Sequence, residues 1–241
     1  MQFTKLTVII PVYNEEKTIE LLLDRVTQVT LNSNIQKELV VVNDYSTDNT
    51  KEVIERYITS NPHLEIRLYN HDINKGKGAA LHTGIREATG EYRIVQDADL
   101  EYDPNDFNQL IEPVIRGSAD VVFGSRFVGS KPHRVLLFHH SLANKFLTFL
   151  SNLFTQLNLT DIETCYKLFD AGMLKSLRLK EKRFGFEPEV TAKISRIKKV
   201  RIYEVGVSYY GRTYDEGKKI NWRDGLKAIW CIFRYNIWDR Y

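Results

Sequence analysis

Asp97, Asp99, Glu101 and Asp103 alternate through VQDADLEYDP (Val95–Pro104), with no basic residue among them. Carboxylates one residue apart at the end of an apolar run can share a hard divalent cation, which takes oxygen ligands. A calcium loop of the EF-hand type is excluded, because the places for its turn glycine and closing Glu, counted from Asp97, hold Tyr102 and Asn108. What remains is Mg2+ or Mn2+ on Asp97 and Asp99, with Glu101 as a third contact, completed by substrate phosphates and water. Asp103 and Asp106, beside Pro104, read instead as the start of a helix.

Other polar residues follow apolar runs in the same way. Behind VIIPV stand Tyr13, able to stack on a nucleobase, and Asn14 and Glu15, able to accept hydrogen bonds from a base or ribose. Asp44 closes ELVVVND, while Thr47 and Asp48 suit a helix start. NKGKGAALHTG (Asn74–Gly84) admits two readings. Its amides with Lys75 or Lys77 face an anion, or it is a plain loop with a tight helix contact at Gly84.

Five short runs carry these groups: Leu6–Val12, Glu38–Asp44, Leu64–Asn70, Glu91–Asp97 and Ala119–Ser125. Runs so evenly apolar predict strands covered on both faces. Helix-length segments lie between them, at Thr18–Val29, Asp48–Ser60, Gly76–Ala88 and Asn105–Arg116. Strand and helix in alternation predict an α/β fold with a mostly parallel, doubly wound sheet, whose ligands sit at the carboxyl ends of the strands. Pro11–Glu15, Asp44–Asp48 and Asp97–Asp103 therefore converge on one crevice.

The second half reads differently. Arg134–Leu159 carries Phe146, Leu150, Leu153, Phe154 and Leu157 at amphipathic-helix spacing, suited to packing on the sheet or to meeting lipid. His139 and His140 read as structural or interfacial. Trp222–Tyr241 interleaves aromatics with Arg and Lys, as a docking helix or an interfacial anchor does.

With 241 residues, 43% of them hydrophobic, the chain predicts one large domain over 1–220 and a C-terminal amphipathic helix over 221–241. A net charge of +3 is too small to suggest a nucleic-acid binder. From Lys193 onward twelve Lys/Arg stand against five Asp/Glu, which concentrates positive charge at that end. Cys165 and Cys231 have no metal-ligand spacing and fit buried thiols in a cytoplasmic setting. No signal peptide is read at the N-terminus, and no run of apolar residues is long enough to span a bilayer.

VIIPVYNEE, NDYSTDNT, NKGKGAAL, QDADLEYDP and GSRF, in that order, resemble the family 2 glycosyltransferases of GT-A fold. Within them the chain is similar to the dolichyl- or polyprenyl-phosphate branch, in which a sugar passes from a nucleotide sugar to a lipid phosphate. The resemblance implies nucleotide contacts at Pro11, Tyr13, Glu15, Asp44 and Asp97, and a metal-diphosphate motif at Asp97 and Asp99. Glu101 stands where many relatives have Gln. It further implies phosphate contacts at Arg126 and Arg134, with Ser141 and Asn144 beside the acceptor, and a basic segment bringing Arg212 and Lys218 to the phosphates. Gly217 replaces the family's Ser, leaving Lys218 and Lys219 both as candidates. The implied catalytic set is Asp99, Arg126, Arg212 and Lys218, performing one in-line displacement with inversion. A phosphate acceptor is already anionic and needs no base, whereas the alternative, transfer to a saccharide hydroxyl, would ask Asp161 or Glu163 to serve as one. Peripheral contact with the cytoplasmic membrane face is expected through the Val135–Leu157 and Trp222–Trp238 helices.

Overall fold

The computed structural model describes residues 3–129, 134–135, 138–212 and 222–239, apart from the side chains of 139 and 140. The strands are β1 (Lys5–Val12), β2 (Gln36–Asn43), β3 (Ile66–Asn70), β4 (Tyr92–Val95), β5 (Val121–Ser125), β6 (Lys167–Asp170) and β7 (Ile202–Gly206). They form one sheet in the order β3-β2-β1-β4-β6-β5-β7. All neighbours are parallel except β6, which runs against both β4 and β5. The five expected strands are present. Two further strands, β6 and β7, complete the sheet, and reversing β6 sets the start of its strand beside the carboxyl end of β4.

The helices are α1 (Ile19–Gln28), α2 (Thr50–Ser60), α3 (Lys77–Glu87), α4 (Phe107–Ile115), α5 (Phe138–Thr155), α6 (Ala171–Ser176), α7 (Phe186–Ile194) and α8 (Trp222–Phe233). In α1, Ile19, Leu22, Leu23 and Val26 are buried, the spacing by which one helical face meets a sheet. The centre of the sheet is dry on both faces, with Val8, Ile9, Ile10, Val40, Val41 and Val42 fully buried. Each such side chain contributes roughly 1.5–3 kcal/mol of transfer free energy, which makes this region the rigid base for the strand ends. Gly84 brings α3 onto β1, since a Cβ there would lie 2.3 Å from Ile9 Cγ2.

The helix expected over Arg134–Leu159 is α5, and it faces differently from the stripe read in the sequence. Asn144, Leu147, Thr148 and Ser151 are buried, while Phe146 and Leu153 are exposed. Polar side chains take the inner face because they have partners there: Thr148 Oγ1 accepts from the Ile162 amide and Asn144 Oδ1 from Arg126. Among the described residues, no helix is long and apolar enough to cross a membrane.

Candidate active site

Each of the strands β1, β2 and β4 is followed by a residue that turns the chain through the left-handed region. These are Asn14 (φ 50°), Tyr45 (φ 62°) and Leu100 (φ 63°). Side chains other than glycine adopt this conformation at a cost, and it collects at functional sites. The turns leave Tyr13, Asp44 and Asp97–Glu101 around one cleft of about 410 Å3. The opposite wall comes from Glu163 ahead of β6, from Arg183, Phe184 and Glu187 around the start of α7, and from Tyr209 and Arg212 after β7.

Opposite charges alternate along the floor of the cleft. Lys77, at the start of α3, lies 2.8 Å from Asp97 and 3.5 Å from Glu187. Burial opposes the charge on Lys77, but Asp97 and Glu187 outweigh it and hold its pKa well above the usual lysine value. Asp99 is in the reverse position. Burial, with Asp97 and Glu101 alongside, pushes its carboxyl up to about 7. Arg212, 3.4 Å away, only partly offsets this.

Arg212 ties the far end of the chain to the strand loops. Its guanidinium reaches Glu15 at 3.2 Å, and its amide donates to Glu101 Oε1 at 2.7 Å. The Tyr209 hydroxyl donates to Glu101 Oε2 at 2.9 Å, and the Tyr210 amide to the Glu101 carbonyl. Both oxygens of Glu101, expected as a third metal contact, thus also hold the 209–212 segment. Glu15 is likewise engaged by Arg212 and by the Thr18 hydroxyl.

Asp44 lines the same cleft and is also engaged by a neighbouring loop. Its oxygens accept from the Lys75 and Gly76 amides at 2.9 and 2.6 Å, and Oδ1 lies 2.7 Å from His71 Nδ1. The carboxylate therefore clamps the glycine-rich loop. The tight helix contact read at Gly84 is present, while Lys77 faces the protein's own Asp97 carboxylate. Gly76 and Gly78 add a second close approach: a Cβ on either would lie 2.5 or 2.4 Å from the carbonyls of Lys182 and Glu181, respectively.

Arg126 lines the cleft but is already committed. Its Nε and one terminal nitrogen donate to Asp161 at 2.6 and 2.7 Å, it reaches Asn144 Oδ1 at 3.3 Å, and its guanidinium lies 5.0 Å from the Tyr209 ring centre. Burial works against this charge, and Asp161 more than compensates, holding the pKa well above the ordinary arginine value. The fully buried Asp161 is thereby removed from any role as a base. Asn144 supports Arg126 and does not line the cleft, nor do Arg134 and Ser141. Arg134 donates to the Gly211 carbonyl at 2.8 Å, beside Arg212. Pro11 and Tyr13 do line the cleft. Lys218 and Lys219 lie outside the described residues.

Among the described residues, no three His, Cys, Asp or Glu side chains converge as a closed metal cage. The donors at Asp97 and Asp99 fit an open site for a hard cation instead. They offer only oxygen, and Asp99 is crowded by neighbouring carboxylates whose charge such a cation would offset. Sequence reasoning missed His71, Arg183, Phe184, Glu187 and Tyr209. Of these, Glu187 had the appearance of an ordinary acidic first turn of a helix, and the others carried no motif.

A mostly parallel sheet with a paired-carboxylate loop lining a cleft at its strand ends is the arrangement of a GT-A glycosyltransferase. The sequence agrees: residues 7–178 match the model described as glycosyl transferase family 2, and the chain belongs to that family. It is 27% identical to a dodecaprenyl-phosphate galacturonate synthase of Rhizobium johnstonii, over 90% of this chain but only 62% of that protein. It is 28% identical to a dolichyl-phosphate beta-glucosyltransferase of Trichomonas vaginalis, covering 95% of this chain and 74% of that one. A UDP-N-acetylglucosamine–dolichyl-phosphate N-acetylglucosaminyltransferase of Methanococcus voltae is 26% identical, with 93% of each covered. In fold, the chain is similar to glucosyl-3-phosphoglycerate synthase from Mycobacterium tuberculosis, solved with Mn2+, UDP and phosphoglyceric acid. The TM-score is 0.72 at 19% identity, over 96% of this chain and 78% of that one.

Proposed function

We propose that this chain transfers a glycosyl group from a nucleoside-diphosphate sugar to a polyprenyl- or dolichyl-type phosphate, with Mg2+ or Mn2+ held by Asp97 and Asp99. The observation that carries this reading is the convergence of Asp97, Asp99, Lys77 and Arg212 in one cleft at the strand ends. Alternating charges of this kind suit a diphosphate that arrives with its own cation. When bound, the cation would neutralise charge on the departing nucleoside diphosphate. Tyr13 and Pro11 bound the end of the cleft suited to the base. Lys77 and Arg212 are placed to donate to the phosphates, and the resemblance adds Lys218 to them.

In this reading an acceptor phosphate oxygen bonds to the anomeric carbon as the bond from that carbon to the diphosphate breaks, inverting the centre. An anionic acceptor needs no proton removed, which accords with Asp161 being spent on Arg126. Relatives named for dodecaprenyl- and dolichyl-phosphate support the lipid acceptor.

Peripheral contact with the cytoplasmic membrane face belongs to the same proposal. Phe138, Leu142, Phe146, Phe149 and Leu153 form an exposed stripe on α5, with Phe138 82% exposed. Trp222, Leu226 and Trp230 form another on α8, with Trp222 71% exposed. The helices meet where Phe154 packs edge-on to Phe233, with ring centres 5.3 Å apart. Adjoining apolar stripes of this extent suit a lipid surface. The test offers a panel of nucleotide sugars with Mn2+ and either dodecaprenyl phosphate or free saccharides. Label passing into the lipid phase is the expected result, and transfer only to the saccharides would overturn the proposal.

A further inference from the structure

The strand order works as a ruler along the cleft. Tyr13 and Asp44 stand at the ends of β1 and β2, Asp97 and Asp99 at the end of β4, and β6 lies on the far side of β4 from β1. A nucleoside-diphosphate sugar has its base, diphosphate and sugar in that same linear order. With the diphosphate at Asp97 and Asp99, the sugar falls beyond β4, where Glu163 and Glu187 line the wall.

The carboxylates around that end are not equivalent. Asp161 is consumed by Arg126, Glu187 faces Lys77 at 3.5 Å, and Glu189 accepts from the Lys180 and Glu181 amides and from Lys193. Lys167, close to Glu163 in the chain, gives its ammonium to the Thr164 carbonyl. Glu163 Oε1 alone among these is buried without a hydrogen-bond partner. Leaving a buried carboxylate oxygen unpaired is costly, and in a cleft wall a ligand hydroxyl can supply the missing bond.

We infer that Glu163 is a specificity-determining residue that accepts hydrogen bonds from hydroxyls of the donor's sugar, and that with Glu187 it selects neutral sugars over uronic acids. Burial and the neighbouring Glu187 already push the Glu163 carboxyl up to about 7, so a hexuronosyl carboxylate would add to a negative charge that this wall resists, whereas a neutral sugar brings donors. The inference rests on the reading of the cleft as a nucleotide-sugar site.

The test measures binding of UDP-glucose, GDP-mannose, UDP-glucuronate, UDP and GDP in the presence of Mn2+ for the wild-type protein, Glu163→Ala and Glu163→Gln, with circular dichroism verifying the fold. For the preferred neutral sugar, Glu163→Ala weakens binding by about 10- to 100-fold, the loss of a hydrogen bond to a charged group, while the sugarless nucleotide stays within about twofold. Glu163→Gln keeps an acceptor without the charge and narrows the gap between the neutral and uronosyl donors. An unchanged sugar preference in both variants, or equal weakening of the sugarless nucleotide, overturns the inference and leaves the parent reading standing. Failure of the wild-type protein to bind any of these nucleotides would instead overturn the parent reading, and this one with it.

Discussion

Asp161→Asn separates a structural Arg126 from a ligand-binding one. The Arg126 side chain is 12% exposed, its partner Asp161 is fully buried, and two short hydrogen bonds join them. Asn at this position keeps the shape but loses the charge and turns an amide toward the guanidinium, leaving a buried cation uncompensated. Breaking a buried pair from one side costs about 3–5 kcal/mol, which in a chain of this size lowers Tm by about 6–20 °C. Thermal unfolding followed by circular dichroism measures this directly. Because the pair is buried, the deficit should persist in high salt. Replacing both partners with apolar residues, Arg126→Met with Asp161→Leu, should recover much of the loss, since buried pairs are often no better than well-packed hydrophobic substitutes. A Tm within about 2 °C of wild type for Asp161→Asn, far less than an uncompensated buried charge costs, would refute the argument.

Three other variants test separate parts of the account. Asp99→Ala should lower metal-dependent transfer by about 100- to 1,000-fold, the scale of losing one element of transition-state charge stabilisation. Its melting temperature should not fall, because the change removes a carboxylate crowded by Asp97 and Glu101. Gly78→Ala would set a Cβ 2.4 Å from the Glu181 carbonyl, a clash with backbone costing about 1–3 kcal/mol in denaturant titrations. It should also raise KM for the donor, because Arg183 and Phe184 would move with that backbone. Phe149→Glu combined with Trp230→Glu should abolish co-sedimentation with anionic vesicles while leaving binding of soluble nucleotides intact. Unchanged sedimentation would remove α5 and α8 from the proposed membrane contact.

The strands β1, β2 and β5 were legible because each holds an apolar run buried on both faces, whereas β3 and β4 include Arg67 and Arg93 and β3, at the sheet edge, is largely half-buried. β6 was not legible, since KLFD carries charge at both ends and its buried Lys167 is accommodated by the Thr164 carbonyl and the Phe123 ring. That Asp97 and Asp99 line one cleft was legible from their spacing at the end of an apolar run. The duties of Glu15, Glu101 and Arg126 were not, because each is set by a partner distant in the chain. Arg212 lies 197 residues after Glu15 and 111 after Glu101, and Asp161 lies 35 after Arg126. Composition reveals that such charges exist, and only the fold decides which of them neutralise one another. The same holds for Gly76 and Gly78, whose need for glycine comes from the 181–183 backbone lying against them.

Calorimetric titration of UDP and GDP, with Mn2+ and again with EDTA, tests the central claim most directly: that the loop bearing Asp97 and Asp99 holds a nucleoside diphosphate together with a divalent cation. The account predicts cation-dependent binding of at least one nucleotide, lost in Asp97→Asn with Asp99→Asn. Equal affinity in EDTA, or full affinity in the double variant, would contradict it.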